Sequence, residues 1–306
     1  MKIIPRNIRR RSLDRAIKSA QLVACARAIA ACERDESVRN PDYLARQFLN
    51  RWWRICFHLG WITRRVMEIG SPGIYCYHIA RTKHIDSLLI QVLKEGVEQL
   101  VILGAGNDSR AYRFCSRLGR VPVFEVDFPG TQAEKKSQLL KFFGHLPENV
   151  TFVPIDFNSQ SLEEVLLRGG FKTTLKTFFI WEGVSYYISE GAVDRVLQFV
   201  TDNCLPGSSL VFDYALQSFI RGDWRAFRGA RATKICAAAI GEPLIFGIED
   251  GSTEQFLRER GLKTISDLGP YDLEGRYLLR SDGTLHGHAY DFFRIVHATV
   301  NRAGHD

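Results

Sequence analysis

The sequence predicts an α/β fold, a mostly parallel seven-stranded sheet with helices on both faces. Three observations predict it. The apolar run Val101-Ile102-Leu103 stops at Gly104-Ala105-Gly106, and a helical pattern starts at once, with Ala111, Phe114, Cys115 and Leu118 at i, i+3, i+4 and i+7. Strand, glycine turn and helix form the opening unit of a nucleotide-binding sheet. A second apolar run, Val121 to Val126, ends in Asp127, about 20 residues further on, where an acid can accept hydrogen bonds from ribose hydroxyls. Apolar runs and helical periodicities then alternate along the chain.

The elements follow in order. Residues 12–34 read as a helix, with Leu13, Ala16, Ile17, Ala20, Val23 and Ala24 at helical spacing. Asn40-Pro41-Asp42 breaks it and caps a second helix carrying Leu44, Phe48, Trp52 and Ile55. Ser71-Pro72-Gly73 is a turn, and a long helix over 74–95 brings Arg81, His84 and Asp86 near one another. Residues 1–95 thus form a helical cap over the mouth of the sheet, and 96–306 form the sheet domain. Strands are predicted at 99–104, 121–127, 149–154, 175–181, 207–213, 262–267 and 289–300. Helices are predicted at 109–118, 130–143, 160–168, 190–203 and 252–260. Residues 214–240, with Tyr214, Phe219, Trp224 and Phe227, read as an inserted helical lid. Gly104, Asp127, Asp156 and Glu182 all fall at strand C-termini, the side on which parallel sheets bind ligands.

Composition narrows the class. The chain has 306 residues, 45% hydrophobic and 25% charged, as soluble globular proteins do. Its net charge of +7 is uneven: residues 1–80 hold 15 Lys/Arg against 6 Asp/Glu, and the remainder is close to balanced. A solvated helical face explains such a run more simply than an anionic partner, and no nucleic-acid module accompanies it, so nucleic acid is not the expected partner. The seven cysteines are scattered with no Cys-x-x-Cys pair, which points to reduced thiols, a cytoplasmic location and no zinc site. Arg9-Arg10-Arg11 lacks the uninterrupted apolar core of a signal peptide, and no apolar run approaches the roughly 20 residues of a membrane span, so no membrane partner is expected. Oligomeric state leaves no mark in the sequence.

The glycine turn is not the dinucleotide fingerprint. It lacks the third glycine, and Asp108 would oppose a phosphate. A nucleoside without phosphates fits better, and S-adenosylmethionine (SAM) is the common one. An ordinary strand-to-helix turn would produce the same glycines.

The wider context is more specific. Gly104 to Arg113, Phe124-Glu125-Val126-Asp127-Phe128-Pro129 and Trp181-Glu182-Gly183-Val184-Ser185-Tyr186-Tyr187-Ile188 resemble three blocks of the leucine carboxyl methyltransferase-like family of SAM-dependent enzymes. Ala80 to Asp86 and Asn40 to Ala45 resemble two more, and the resemblance runs from about Asn40 to about Val211. It leans toward bacterial polyketide O-methyltransferases of the tetracenomycin type. It implies a Rossmann-like class I methyltransferase that binds SAM and methylates a carboxylate or hydroxyl of a small molecule in natural-product biosynthesis. A peptide or protein carboxylate, or SAM binding without transfer, are the alternatives.

The resemblance also implies roles. Arg81 takes the SAM carboxylate, Gly104 and Gly106 let methionine approach the backbone, and Asp127 holds the ribose with Glu125 as its rival. Asp156 and Phe157 lie beside the adenine, although Asp-Phe-Asn-Ser also reads as a plain strand-ending turn. Glu182 contacts the amino group. Tyr187 lies near the acceptor, and Tyr186 and Tyr214 are further lining candidates, with aromatic core packing the plainer role for all three. His84 is a candidate base, although a lone helix histidine is more often structural. One departure matters: carboxyl methyltransferases of this family often read Asp-Leu-Arg where this chain reads Asp156-Phe157-Asn158. The acceptor-pairing arginine is missing, with Arg221 or Arg225 as replacements. Gly183-Val184-Ser185-Tyr186 lacks the second glycine of a hydrolase elbow. No metal is expected, since His286-Gly287-His288 with Asp291 reads as a loop before a strand.

Overall fold

The computed structural model describes residues 19–157 and 160–301. Residues 12–18 of the first predicted helix and the Arg9-Arg10-Arg11 run lie outside the described residues. The chain opens with helix α1 (residues 19–30), α2 (Arg51–His58), α3 (Gly60–Gly70) and α4 (Ile74–Lys94). Then come β1 (Gln99–Leu103), α5 (Arg110–Arg113), α6 (Cys115–Leu118), β2 (Val123–Asp127), α7 (Pro129–Phe143), β3 (Val150–Pro154), α8 (Leu162–Arg168), β4 (Thr177–Trp181), α9 (Glu190–Asn203) and β5 (Ser209–Leu216). The last third holds α10 (Gln217–Arg221), α11 (Ala230–Ile240), β6 (Gly247–Ile248), α12 (Thr253–Arg258), β7 (Leu262–Leu268), α13 (Pro270–Tyr277) and β8 (Phe293–Val300).

The sheet order is β3-β2-β1-β4-β5-β8-β7. Strands β1 to β5 pair in parallel, and β8 runs antiparallel to both β5 and β7. The mostly parallel Rossmann-like sheet is as expected, with one more strand than the seven predicted. That strand, β6, is two residues pairing with β5, too short to leave a period.

The central strands are buried on both faces, which is why they read as continuous apolar runs. Leu100 and Ile102 of β1 join one core with Ile85 and Leu89 of α4. Val101 and Leu103 join the opposite core with Val193 and Leu197 of α9.

Several boundaries differ from expectation. The helix predicted through Leu44 and Ile55 is divided at Asn50, whose side chain accepts the Trp53 N–H at 3.1 Å and caps α2. The helix at 109–118 is two short pieces meeting at Phe114. Tyr214, placed in the lid by sequence, still belongs to β5. After it, Phe219 of α10 stacks on Phe292 with ring centroids 4.1 Å apart, so this segment is anchored by its aromatics. Helix α13 was not foreseen; its Gly269 N–H donates to Asp272 at 3.0 Å in the first turn.

Candidate active site

A cavity of about 250 Å³ opens at the C-terminal ends of β1, β2 and β4. It lies where the strand order reverses, between β1 and β4, as the topology of open parallel sheets requires. The turn from Gly104 to Asp108 forms its floor. Ser19, Ala20, Val23 and Arg27 of α1 pass across it from the other side.

The turn is built for close approach. Gly104 has φ +66°, and a Cβ there would overlap the Val184 side chain. Gly106 donates its N–H to Asp127 Oδ2, and Phe128 donates to Oδ1 at 2.5 Å. Burial pushes the Asp127 carboxyl upward, while these two N–H groups oppose that shift. Thr131 Oγ1, also in the lining, is buried with no hydrogen-bond partner among the described residues.

Behind the floor lies a buried ion network. Glu182 bridges two arginines, with Oε1 3.0 Å from Arg81 Nε and Oε2 2.6 Å from Arg110 Nη1. Arg81 also meets Asp213 at 2.5 Å, and Arg110 meets Asp86 at 2.7 Å and Asp108. Asp86 and Asp42 pair with Arg113, and Asp42 lies 3.4 Å from Arg27. Arg27 donates to the Asn107 carbonyl at 2.8 Å, tying α1 to the glycine turn. Burial by itself would raise the Glu182 carboxyl, but Arg110 and Arg81 outweigh it and hold it well below the usual range. An acid ending an apolar strand is thus fully compensated.

The predicted residues divide into three groups. Arg81, Gly104, Gly106, Asp127, Phe157, Glu182 and Tyr187 line one cavity. Arg81 is already engaged by Glu182 and Asp213 rather than standing open. Tyr186 and Asp156 are adjacent: Tyr186 places its hydroxyl 3.3 Å from both Arg81 and Asp213, behind the lining, and the Asp156 N–H donates to Gln160 at 2.8 Å.

The third group is elsewhere. Tyr214 is buried on the far side, its hydroxyl against Thr253 and 3.0 Å from Asp267, because a residue one step from Asp213 on a strand points to the opposite face. His84 is also buried and directs Nδ1 to the Tyr277 hydroxyl at 3.0 Å; burial, with Arg276 nearby, lowers its pKa to about 4. Glu125, the rival of Asp127, pairs with Lys135 at 2.8 Å and with Tyr112 at 3.0 Å. Arg221 pairs with Glu249 at the surface, and Arg225 is exposed and outside the lining. His288 turns to Glu274 and Asp291 accepts the Arg228 N–H, so these two residues go separate ways.

Sequence reasoning missed Arg27, Arg110, Asp213 and Glu242. Arg110 stands inside the Gly104–Arg113 block, six residues after Gly104, and that was its available signal. Asp213 is an acid inside an apolar strand, a pattern that calls for a buried partner. Glu242 lines the cavity with Tyr187 and helps to raise that tyrosine's pKa, after burial.

Fold and cavity define a class first. A DUF574 family protein from Streptomyces avermitilis superposes with a TM-score of 0.58 at 12% identity, covering 92% of this chain and 96% of that one. A protein from Thermobifida fusca shares the fold with a TM-score of 0.53 at 14% identity, covering 91% and 94%. Nearer relatives carry the designation "Putative S-adenosyl-L-methionine-dependent methyltransferase". YktD of Bacillus subtilis is 34% identical over 72% of this chain and 71% of its own length. Rv3787c of Mycobacterium tuberculosis is 32% identical over 68% of each. The chain belongs to the leucine carboxyl methyltransferase family, whose model matches residues 20–201. It is a SAM-dependent methyltransferase.

Proposed function

We propose that this enzyme is an O-methyltransferase acting on a carboxylate or hydroxyl of a small molecule, in natural-product biosynthesis of the polyketide type. The observation that carries this reading is the meeting of Gly104, Asp127 and Glu182, from three strand ends, in one cavity roofed by α1. The lining fits SAM. A turn with no room for a Cβ, a strand-end carboxylate and a buried Thr131 hydroxyl with no partner among the described residues are what an adenosyl ligand without phosphates would use. Asp127 would hold the ribose, Phe157 would pack on the adenine, and Glu182 with Arg81 would meet the amino-acid end.

SAM, when bound, supplies an electrophilic methyl group on a sulfonium. The protein's own work is to align the acceptor and exclude water. The α1 residues that line the cavity narrow its mouth, which supports a small acceptor over a folded protein. The Asp156-Phe157-Asn158 sequence, without arginine, supports the same choice. A carboxylate acceptor is already ionised at neutral pH. A phenol, with pKa about 10, needs a proton acceptor. Burial pushes the Tyr187 hydroxyl up, so it stays protonated and positions the acceptor by donating a hydrogen bond. Glu242, in the same lining, then takes the acceptor's proton.

Calorimetry tests the reading. SAM binds the wild-type chain, and Asp127→Ala weakens it on the order of 10- to 100-fold, the worth of hydrogen bonds to a charged group. Methyl-labelled SAM offered with carboxylate and phenol acceptors yields labelled product. Tight NAD binding without SAM binding overturns the assignment.

A further inference from the structure

We propose that the outward face of helices α2 and α3 docks on an anionic lipid bilayer, a property separate from methyl transfer. Trp52, Ile55 and Leu59 fall at i, i+3 and i+7, and Trp61, Ile62, Val66 and Ile69 share one side of α3. This stripe faces solvent. Trp61 is 77% exposed, Ile69 74% and Trp52 66%. None of the α2 side chains is buried, and Met67 alone is buried in α3. Scattered exposed apolar residues are ordinary, but seven on two consecutive short helices form a patch that marks an interaction surface.

The charges identify the occupant. Arg46, Arg51, Arg54 and Arg65 are exposed around the stripe. The one acid between residues 43 and 72, Glu68, is turned inward to the N–H groups of Gly73 and Tyr75 at 2.9 and 3.0 Å. The surface continues onto α11, which joins α3 through Cys236 Sγ and the Gly70 carbonyl at 3.1 Å and presents Arg231 and Ile235 outward. A second copy would lay this arginine set against itself across a two-fold axis. Residues 1–18 carry seven Lys/Arg and one Asp, the same sign again. An anionic bilayer satisfies both features: indole and aliphatic groups enter the interface while arginines meet lipid phosphates.

The full-length chain should co-sediment with phosphatidylcholine vesicles containing phosphatidylserine, and less with phosphatidylcholine alone. Its tryptophan emission should shift to the blue, and added salt should weaken binding. The double variant Trp61→Ser/Ile69→Ser should lower partition at least about tenfold. Arg51→Glu and Arg65→Glu should each lower it about fivefold or more. All four positions are exposed, and unchanged SAM binding reports that the variants are folded. Three results overturn the proposal: no binding to phosphatidylserine vesicles, binding that survives the double variant, or dimerisation of the wild-type chain that the double variant abolishes.

Discussion

At Gly104 the backbone turns with φ +66° and leaves no room for a Cβ beside Val184. Gly104→Ala therefore incurs a left-handed backbone cost of about 1–2 kcal/mol and an overlap besides. Thermal unfolding and SAM titration should both show the loss, and adding Val184→Ala should recover the overlap but not the backbone part. His84 acts in the opposite register, through protons. Its pKa falls from 6.5 to about 4 because of burial, so the unfolded chain takes up a proton that the folded chain refuses. Its contribution is complete above about pH 6.5 and is lost as pH falls toward 4, at roughly 1.4 kcal/mol per pH unit. His297, also lowered to about 4 by burial, adds a second such slope. Urea unfolding of His84→Gln over this window should lose one proton's share of the slope; an unchanged slope would remove His84 from the account. Single residues differ in how far sequence reveals them. Asp127 and Glu182 were legible because an acid that ends an apolar run has few structural excuses. Asp213, which closes the strand predicted at 207–213 in the same way, was passed over; its partner Arg81 lies 132 residues away.

Strands were the most legible elements. β1, β4 and β5 are buried on both faces, and burial of that kind writes itself as an unbroken apolar run. Short pieces were not legible: β6 has two residues, and α5 and α6 have four each, too few for a period. Tyr214 shows the related error of ending a strand early, which moved a residue of the far face into the segment read as a lid. Helix α1 was legible as a helix, and its place over the sheet mouth was expected. Its contacts were not, since Arg27 and Asn107 meet across 80 residues. Because α1 supplies one side of the cavity, SAM should slow tryptic cleavage after Arg27 roughly tenfold or more at saturation. Mass spectrometry of the fragments checks this, and equal rates with and without SAM would place α1 outside the binding unit.

The whole molecule carries its charge in two places with different effects. Part of the N-terminal surplus, at Arg46, Arg51, Arg54 and Arg65, is exposed and screened by salt. The charge near the cavity is buried and is not screened in that way. There four arginines, at positions 27, 81, 110 and 113, face five carboxylates, at 42, 86, 108, 182 and 213. A cavity backed by a lattice with one carboxylate in excess draws a cation more strongly than a neutral molecule of the same shape. With the methyl group gone, a bound sulfonium would have become a neutral thioether, and the electrostatic part of the hold on the spent cofactor would be weaker.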